Sequence, residues 1–546
     1  MTPTRWLLIV LAILCLSFIG SAIIQFNVGG FPDSTVYYAN SIIENGKLSL
    51  AYAPEHAAMW TWQSSYVAEM AYPVASILTS VLSQITGLGI SLFTVLPFNL
   101  FFLLPYPLLA WKVTKNAWFS FFYFFVYLFI LRVFLFDQAY IFRATLGWAL
   151  FGFFVLVFVT QRISKKSMLL MALFAISLDY TYYGTAIFIP LILGVLAICF
   201  LFKTKLTHAF THQPFNVIAL LSLEVISLGF LIFGPTLVYL SAQGVYFASL
   251  GSYLSNVFQN FFGALLTSLG LGNYLPYVEN NSLPLSFPLS ALINTQKLAY
   301  LLVIALVAFW FIYGLRGSIR TMLAGSKNYE FLIALVAVTM VLGNLLTYGA
   351  LTPTSSIVSA IPIGGLLIWP SLKKRFSSIT REGILKSVAI CAIIMVVLGS
   401  ITEVAIVVNT GWRGVYPRDS SLIAPLGHWY ASFSSGEDVA TGNTGLTSLM
   451  LNYNPKGSVE EVGQSIFILS AALQSHNQSG ILTALSSVQA NMYVLTPKDA
   501  SRPSWGDNWG DVVSSMPYSS WFYNLPTTNI IYNSLEAQID YLGSSN

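Results

Sequence analysis

An all-α polytopic membrane bundle of about eleven to thirteen spans, with a small C-terminal extracytoplasmic domain of mixed α/β type, is the fold class this sequence predicts. Three observations lead there. The chain is 56% hydrophobic and only 8% charged over 546 residues, where soluble domains carry roughly 25% charged residues. Its apolar residues are gathered into a long series of runs of about bilayer length. After residue 408 the apolar density falls and Ser, Asn, Gly and Tyr rise.

The first run, Trp6 to Phe26, follows a single Arg5. At about 21 residues it suits a span, and no small-x-small cleavage site precedes the next polar stretch, so it is expected to be a retained first helix. Further runs follow at 72–88, 90–111, 117–136, 144–161, 168–178, 183–202, 215–240, 298–315, 330–349, 353–370 and 386–408. Each is expected to be helical, because an open strand edge cannot satisfy its backbone in lipid. The Lys and Arg residues of the connections mark one face: Arg5, Lys112, Lys115, Arg162, Lys165, Lys166, Lys203, Lys205, Arg316, Arg320, Lys327 and the group from Lys373 to Lys386. By the positive-inside rule that face is cytoplasmic, with the N-terminus on it. For the basic connections to line up, 72–111 must make one net crossing, and Gly87, Gly89, Pro97, Pro105 and Pro107 would permit a broken helix there.

The opposite, outer face then receives the loop from Gly29 to Pro73, the turn 136–143, the break 178–184, the interval 241–297 and everything after Asn409. The domain division is therefore 1–408, membrane, including external segments 27–71 and 241–297, and 409–546, extracytoplasmic. Within the latter, MYVLT and NIIYNSL have strand character beside the helical stretch SIFILSAALQSH. Two Asn-x-Ser triplets, at Asn280 and Asn477, both fall on the outer face. Cys15, Cys199 and Cys391 all lie in apolar runs and frame neither a disulfide nor a metal site. A formal charge of +4, scattered through short loops, excludes a nucleic-acid surface.

Candidate chemistry concentrates outside. Asp33 opens DSTVYYANSIIENG, a short helix stopped by Gly46, where it serves as an N-cap. It also stands at the exit of a membrane helix, where a carboxylate can act on a hydroxyl presented from water while facing a substrate held in lipid. Asp137 lies in the next outer turn, 104 residues further on. Arg132 and Arg143 flank it, and Arg413 and Arg418 follow the last span; a lone arginine at such a place is also an ordinary headgroup anchor. Asp179, in LDYTYYGT, reads as a helix-end carboxylate in a polar break. Glu224 sits inside an apolar run, where an ionised group costs roughly 2.5–3.5 kcal/mol. His56 beside Glu55 has no second His at ligand spacing. SWGDNWGD at 504–511 reads as a turn of the outer domain.

An Asp just after the first span, Tyr37 four residues on, a Gly at the end of that helix and the Tyr66 to Pro73 stretch YVAEMAYP leading into the next run together resemble the GT-C superfamily of membrane glycosyltransferases. That superfamily includes protein O-mannosyltransferases, aminoarabinose transferases and oligosaccharyltransferase catalytic subunits of prokaryotes, archaea among them. Ser34 stands where those enzymes carry a second acid. The resemblance covers residues 1–205 in pattern. It implies transfer of a sugar from a polyprenyl-phosphate donor, dolichyl phosphate included, to a glycan, lipid or protein acceptor of the cell envelope, on the outer face of the plasma membrane. Asp33 and Asp137 would be catalytic. Arg143, Arg132 and Arg413 would hold the donor phosphate, and Tyr37, Glu69 and Tyr72 would contact substrate. A hard divalent cation, Mg²⁺ or Mn²⁺, would find oxygen ligands in Asp33 and Asp137. The alternative readings are a transporter or flippase for a lipid-linked glycan, for which Glu224 speaks, and a non-catalytic scaffold, for which Ser34 speaks.

Overall fold

The computed structural model describes residues 73–90, 104–120, 143–160, 164–201, 217–234, 305–317, 329–347, 362–375 and 382–387, a few single residues between them, and the backbone of short strands between 412 and 542. The chain groups into two compact units, one of 1–20, 97–275 and 285–402 and the other of 21–96, 276–284 and 403–546.

Among its described residues the first unit is helical. α2 (Pro105–Thr114) begins with proline at a position whose N–H would be unbonded in any case. It is followed by α3 (Arg143–Thr160), α4 (Lys165–Asp179), the single turn α5 (Tyr183–Ala186), α6 (Phe188–Leu201), α7 (Val217–Phe233) and α8 (Tyr329–Thr347). A 3₁₀ turn, Leu366–Ile368, leads into α9 (Trp369–Arg375), whose last turn carries Lys373, Lys374 and Arg375. α3 is the hub, packing on α2, α4, α5 and α8, while α6 packs on α7 and α8.

The hub position follows from α3's composition. Trp148, Phe151, Phe154, Val155 and Phe158 are all buried, so the helix is apolar around most of its circumference, as a helix surrounded by others must be. Trp148 meets Phe151 edge-on at 6.0 Å, and Phe151 meets Phe188 of α6 at 6.0 Å. Such ring pairs add about 0.5–1.5 kcal/mol each beyond the area they bury. Gly152 lets α2 come close, with the Tyr106 ring 2.9 Å from where a Cβ would sit. α3 and α4 are joined by a short connection, and Ser164 and Ser167 exchange side-chain and backbone hydrogen bonds there to cap α4.

The second unit contains α1 (Val74–Thr86), which ends at Gly87 in the left-handed conformation. Of the residues that would permit a broken helix over 72–111, Gly87 ends α1 and Pro105 begins α2, and 91–103 lie outside the described residues. α1 is inverted relative to a water-soluble helix: Ala75, Ser76, Thr79, Ser80 and Ser83 are buried while Ile77, Val81 and Ile85 are exposed. The buried hydroxyls are satisfied on main-chain carbonyls, Thr79 on Ala75 at 2.9 Å and Ser80 on Ser76 at 2.8 Å and on Ala39 at 3.0 Å. Beyond 403 the described backbone forms β1 (Trp412–Arg413) with β2 (Tyr416–Pro417), and a sheet of β3 (Val439–Gly442), β4 (Ser458–Val459), β5 (Met492–Pro497), β6 (Thr528–Asn533) and β7 (Ala537–Leu542). Its order is β4-β3-β5-β7-β6, parallel on one side of β5 and antiparallel on the other, with a bulge between Ile530 and Tyr532. The strand character of MYVLT and NIIYNSL is realised as β5 and β6.

Among the described residues no helix is long and apolar enough to cross a membrane. The described part of the 215–240 run, α7, has 17 residues and rises roughly 25 Å, short of a hydrocarbon core of about 30 Å.

Candidate functional site

The best-defined polar constellation is the end of the first unit where α4 stops. LDYTYYGT closes α4 by main-chain bonds from Thr181 and Tyr182 to the Leu178 carbonyl, at 3.0 and 2.9 Å, and Thr185 then donates to Tyr182 O to start α5. The polar break expected over 178–184 is therefore a tight, internally bonded turn. It is also buried: Asp179 is 2% exposed, and Thr181 and Thr185 are wholly buried.

Glycines make that burial sterically feasible. Gly147 of α3 faces Tyr182, with only 2.7 Å between its ideal Cβ position and Tyr182 Cβ, and 2.9 Å to Thr185 Oγ1. Gly234, just past α7, lies against Asp179 Oδ2, and its N–H bonds the Phe230 carbonyl at 2.7 Å. Tyr180 points outward and meets the Phe230 ring edge-on at 6.4 Å. The carboxylate of Asp179 is thus enclosed by the C-terminal turns of α4 and α7, both of which present carbonyl oxygens and the negative end of a helix dipole. Such a setting suits a group that holds a hydroxyl or a cation and gives no binding energy to a phosphate. Any phosphate at this end needs its positive charge from elsewhere.

Arg143 supplies a candidate by position. It is the first residue of α3, one helical turn before Gly147 and on the same face, so its backbone stands at the Asp179 end of the α3–α4 pair. Arg413 is in β1, paired with Tyr416, in the other unit. Asp33, Asp137, Arg132, Tyr37, Glu69 and Tyr72 lie outside the described residues, as do Glu55, His56, Arg418 and the 504–511 motif. The Asp33 and Asp137 cation site is therefore outside them too, and among the described residues no group of three or more His, Cys, Asp or Glu is placed to hold a metal. Glu224 is half-buried on α7, with Oε1 3.2 Å from the ideal Cβ position of Gly194 on α6 and Oε2 enclosed without a hydrogen bond. Ten residues separate it from Gly234, roughly 15 Å along the helix axis.

Asp179 is the helix-end carboxylate that the sequence suggests, but buried, and the sequence reading passes over Gly147 and Gly234. The Gly234-Pro235 pair after an apolar run was the available signal for a helix end with room beside it.

Comparison with known proteins decides the fold. No protein-family model matches the chain, and no curated protein matches it. Among solved structures it matches ArnT from Cupriavidus metallidurans bound to undecaprenyl phosphate, with a TM-score of 0.54 at 11% identity, covering 99% of this chain and 99% of that one. ArnT from the same organism in the apo state matches with a TM-score of 0.51 at 12% identity, over 99% and 98%. The fold is the GT-C fold. An apo oligosaccharyltransferase from Archaeoglobus fulgidus aligns over 93% of this chain and 72% of its own, at 13% identity and a TM-score of 0.49. The GT-C likeness to ArnT runs the length of the chain, well beyond the first 205 residues that carry the motif resemblance, and takes in the C-terminal sheet.

Proposed function

We propose that the chain is an integral membrane glycosyltransferase that moves a sugar from a polyprenyl-phosphate donor to an acceptor on the outer face of the plasma membrane. The observation that carries this reading is the full-length GT-C likeness to ArnT, one of whose matching structures holds undecaprenyl phosphate. Two features of the chain support it. Large apolar side chains stand exposed where lipid would cover them, among them Leu169 and Leu173 on α4, Val225, Ile232 and Phe233 on α7, and the outward row of α1. The polar, glycine-floored turn at Asp179 lies at the end of α4 opposite its basic start at Lys165 and Lys166, which the positive-inside rule assigns to the cytoplasm.

In this reading residues 1–408 make the membrane domain, with about eleven to thirteen spans and a cytoplasmic N-terminus, and 409–546 the extracytoplasmic domain. Asp33 is the base or acceptor-orienting carboxylate, and Asp137 assists it. Arg143, with Arg132 or Arg413, binds the donor phosphate and stabilises it as a leaving group. Tyr37, Glu69 and Tyr72 contact substrate. Water exclusion at the membrane boundary would strengthen each of these contacts.

The test is incubation of the purified protein with radiolabelled polyprenyl-phosphate hexoses and a panel of glycan, lipid and protein acceptors. Label should move to one acceptor class and should stop moving in Asp33→Asn. Undiminished turnover by that variant would overturn the assignment of Asp33, and absence of transfer from every donor would overturn the reading as a whole.

A further inference from the structure

The cytoplasmic end of α2 carries an arrangement that sugar transfer does not use. The helix ends in Trp111-Lys112-Val113-Thr114, and the chain then turns at Lys115, the single non-glycine residue among those described with a positive φ (53°). Glycine or asparagine ordinarily fills that position, because a Cβ is disfavoured there. The lysine is nonetheless held in it, with its N–H on the Trp111 carbonyl at 2.8 Å. The turn brings Lys115 Nζ to 5.4 Å from the Trp111 ring centroid, and Lys112 Nζ stands 5.5 Å from the same ring.

All three side chains are exposed, Trp111 at 43%. Trp118, three residues after Lys115, has Lys386 Nζ 5.3 Å from its ring, and Lys386 pairs with Glu382 at 3.0 Å, beside the buried Leu385. Glu382 is therefore engaged with Lys386, and among the described residues no carboxylate pairs with Lys112 or Lys115. Two ammonium groups standing over one exposed indole gather positive charge at one point of the surface.

We infer that Trp111, Lys112 and Lys115 form a binding site for the headgroup phosphate of an anionic phospholipid in the cytoplasmic leaflet. The inference rests on the membrane orientation given under Proposed function. An indole settles at headgroup depth, lysine stems run along apolar surface to reach phosphate, and each ammonium acts as a compact charge toward it. The inner leaflet is where anionic lipid is enriched.

The experiment uses the full chain in phosphatidylcholine vesicles doped with either brominated phosphatidylglycerol or brominated phosphatidylcholine. Trp111 emission is taken as the difference between the wild type and Trp111→Phe. Brominated phosphatidylglycerol should quench it more strongly, and that preference should fall roughly fivefold with each of Lys112→Gln and Lys115→Gln and shrink as salt is added. Lys115→Gly should lower the preference while raising thermal stability in zwitterionic detergent, since it relieves the left-handed backbone. A lysine serving only the helix end would leave the lipid preference unchanged on that substitution. Equal quenching by the two lipids, or an unchanged preference in the doubly substituted chain, would overturn the site. Sugar transfer measured on the same vesicles is a separate readout: failure of transfer with the lipid preference intact counts against the enzymatic reading alone, and transfer with equal quenching counts against this site alone.

Discussion

Gly234 rests directly on the carboxylate of Asp179, 55 positions earlier in the chain, so closely that any side chain there would collide with Asp179 Oδ2 and with the Phe230 carbonyl. The ends of α4 and α7 are fitted together at this point. Gly234→Ala is expected to cost about 1–3 kcal/mol, the usual penalty for overfilling a packed site. Gly229→Ala is the matched comparison, because Gly229 lies within α7 with nothing within 4 Å of its added methyl; it should gain up to about 1 kcal/mol in helix propensity. Thermal unfolding of both variants in the same detergent is the measurement, and equal midpoints would contradict the close fit.

A second pair ties α2 to α3. Tyr106 donates to the main-chain carbonyl of Trp148 at 2.7 Å, with the phenol buried. Tyr106→Phe should cost about 0.5–1.5 kcal/mol, the net worth of one buried hydrogen bond. Gly152→Ala presses on Tyr106 Cζ, the carbon that carries the hydroxyl, and so should disturb the same hydrogen bond; its cost of about 1–3 kcal/mol should be smaller in the Tyr106→Phe background.

For the chemistry, Asp33→Asn should lower transfer by about a hundredfold or more while donor binding persists, since general-base help contributes on that scale. Single-turnover label transfer alongside a donor-binding assay separates the two effects. Asp137→Asn should give a smaller loss of the same kind.

Arg143→Ala should weaken donor binding by about tenfold or more, and Arg143→Lys should restore part of it, because lysine keeps the charge and loses the two-pronged geometry. The loss should appear in the donor KM with longer and shorter prenyl chains alike. An unchanged KM would remove Arg143 from the phosphate site.

Glu224→Gln discriminates between transfer and transport. Lodged against Gly194 about 15 Å along α7 from Gly234, Glu224 has no part in the proposed transfer, so label transfer should continue unchanged. Translocation of a lipid-linked glycan that stopped on this substitution would support the transporter reading instead.

Much of the architecture was legible because it is written in local signals. Gly87 and Pro105 punctuate 72–111 by backbone chemistry alone, and alternating β-branched and aromatic residues mark β5 and β6. The site was less legible. In sequence, Asp179 is indistinguishable from a solvated helix end. Gly234, 55 positions after it, lies on its carboxylate, and Gly147, 32 before it, packs on Tyr182 and Thr185 of the same turn, and neither contact leaves a periodic trace. Lys115 is similar: the letters give a basic connection, and only its left-handed backbone turns it toward Trp111. The parallel pairing of β3 with β5 also spans a long crossover that no hairpin signal announces.

The sheet has a further consequence for how copies of this protein live beside one another. A sheet edge offers unpaired amides to any passing strand, and crowding in a membrane plane raises the local concentration of identical edges. Here one margin, β4, is two residues long, and the other, β6, is interrupted by the bulge between Ile530 and Tyr532. Among the described residues neither rim offers a long, regular template for a strand of a neighbouring copy.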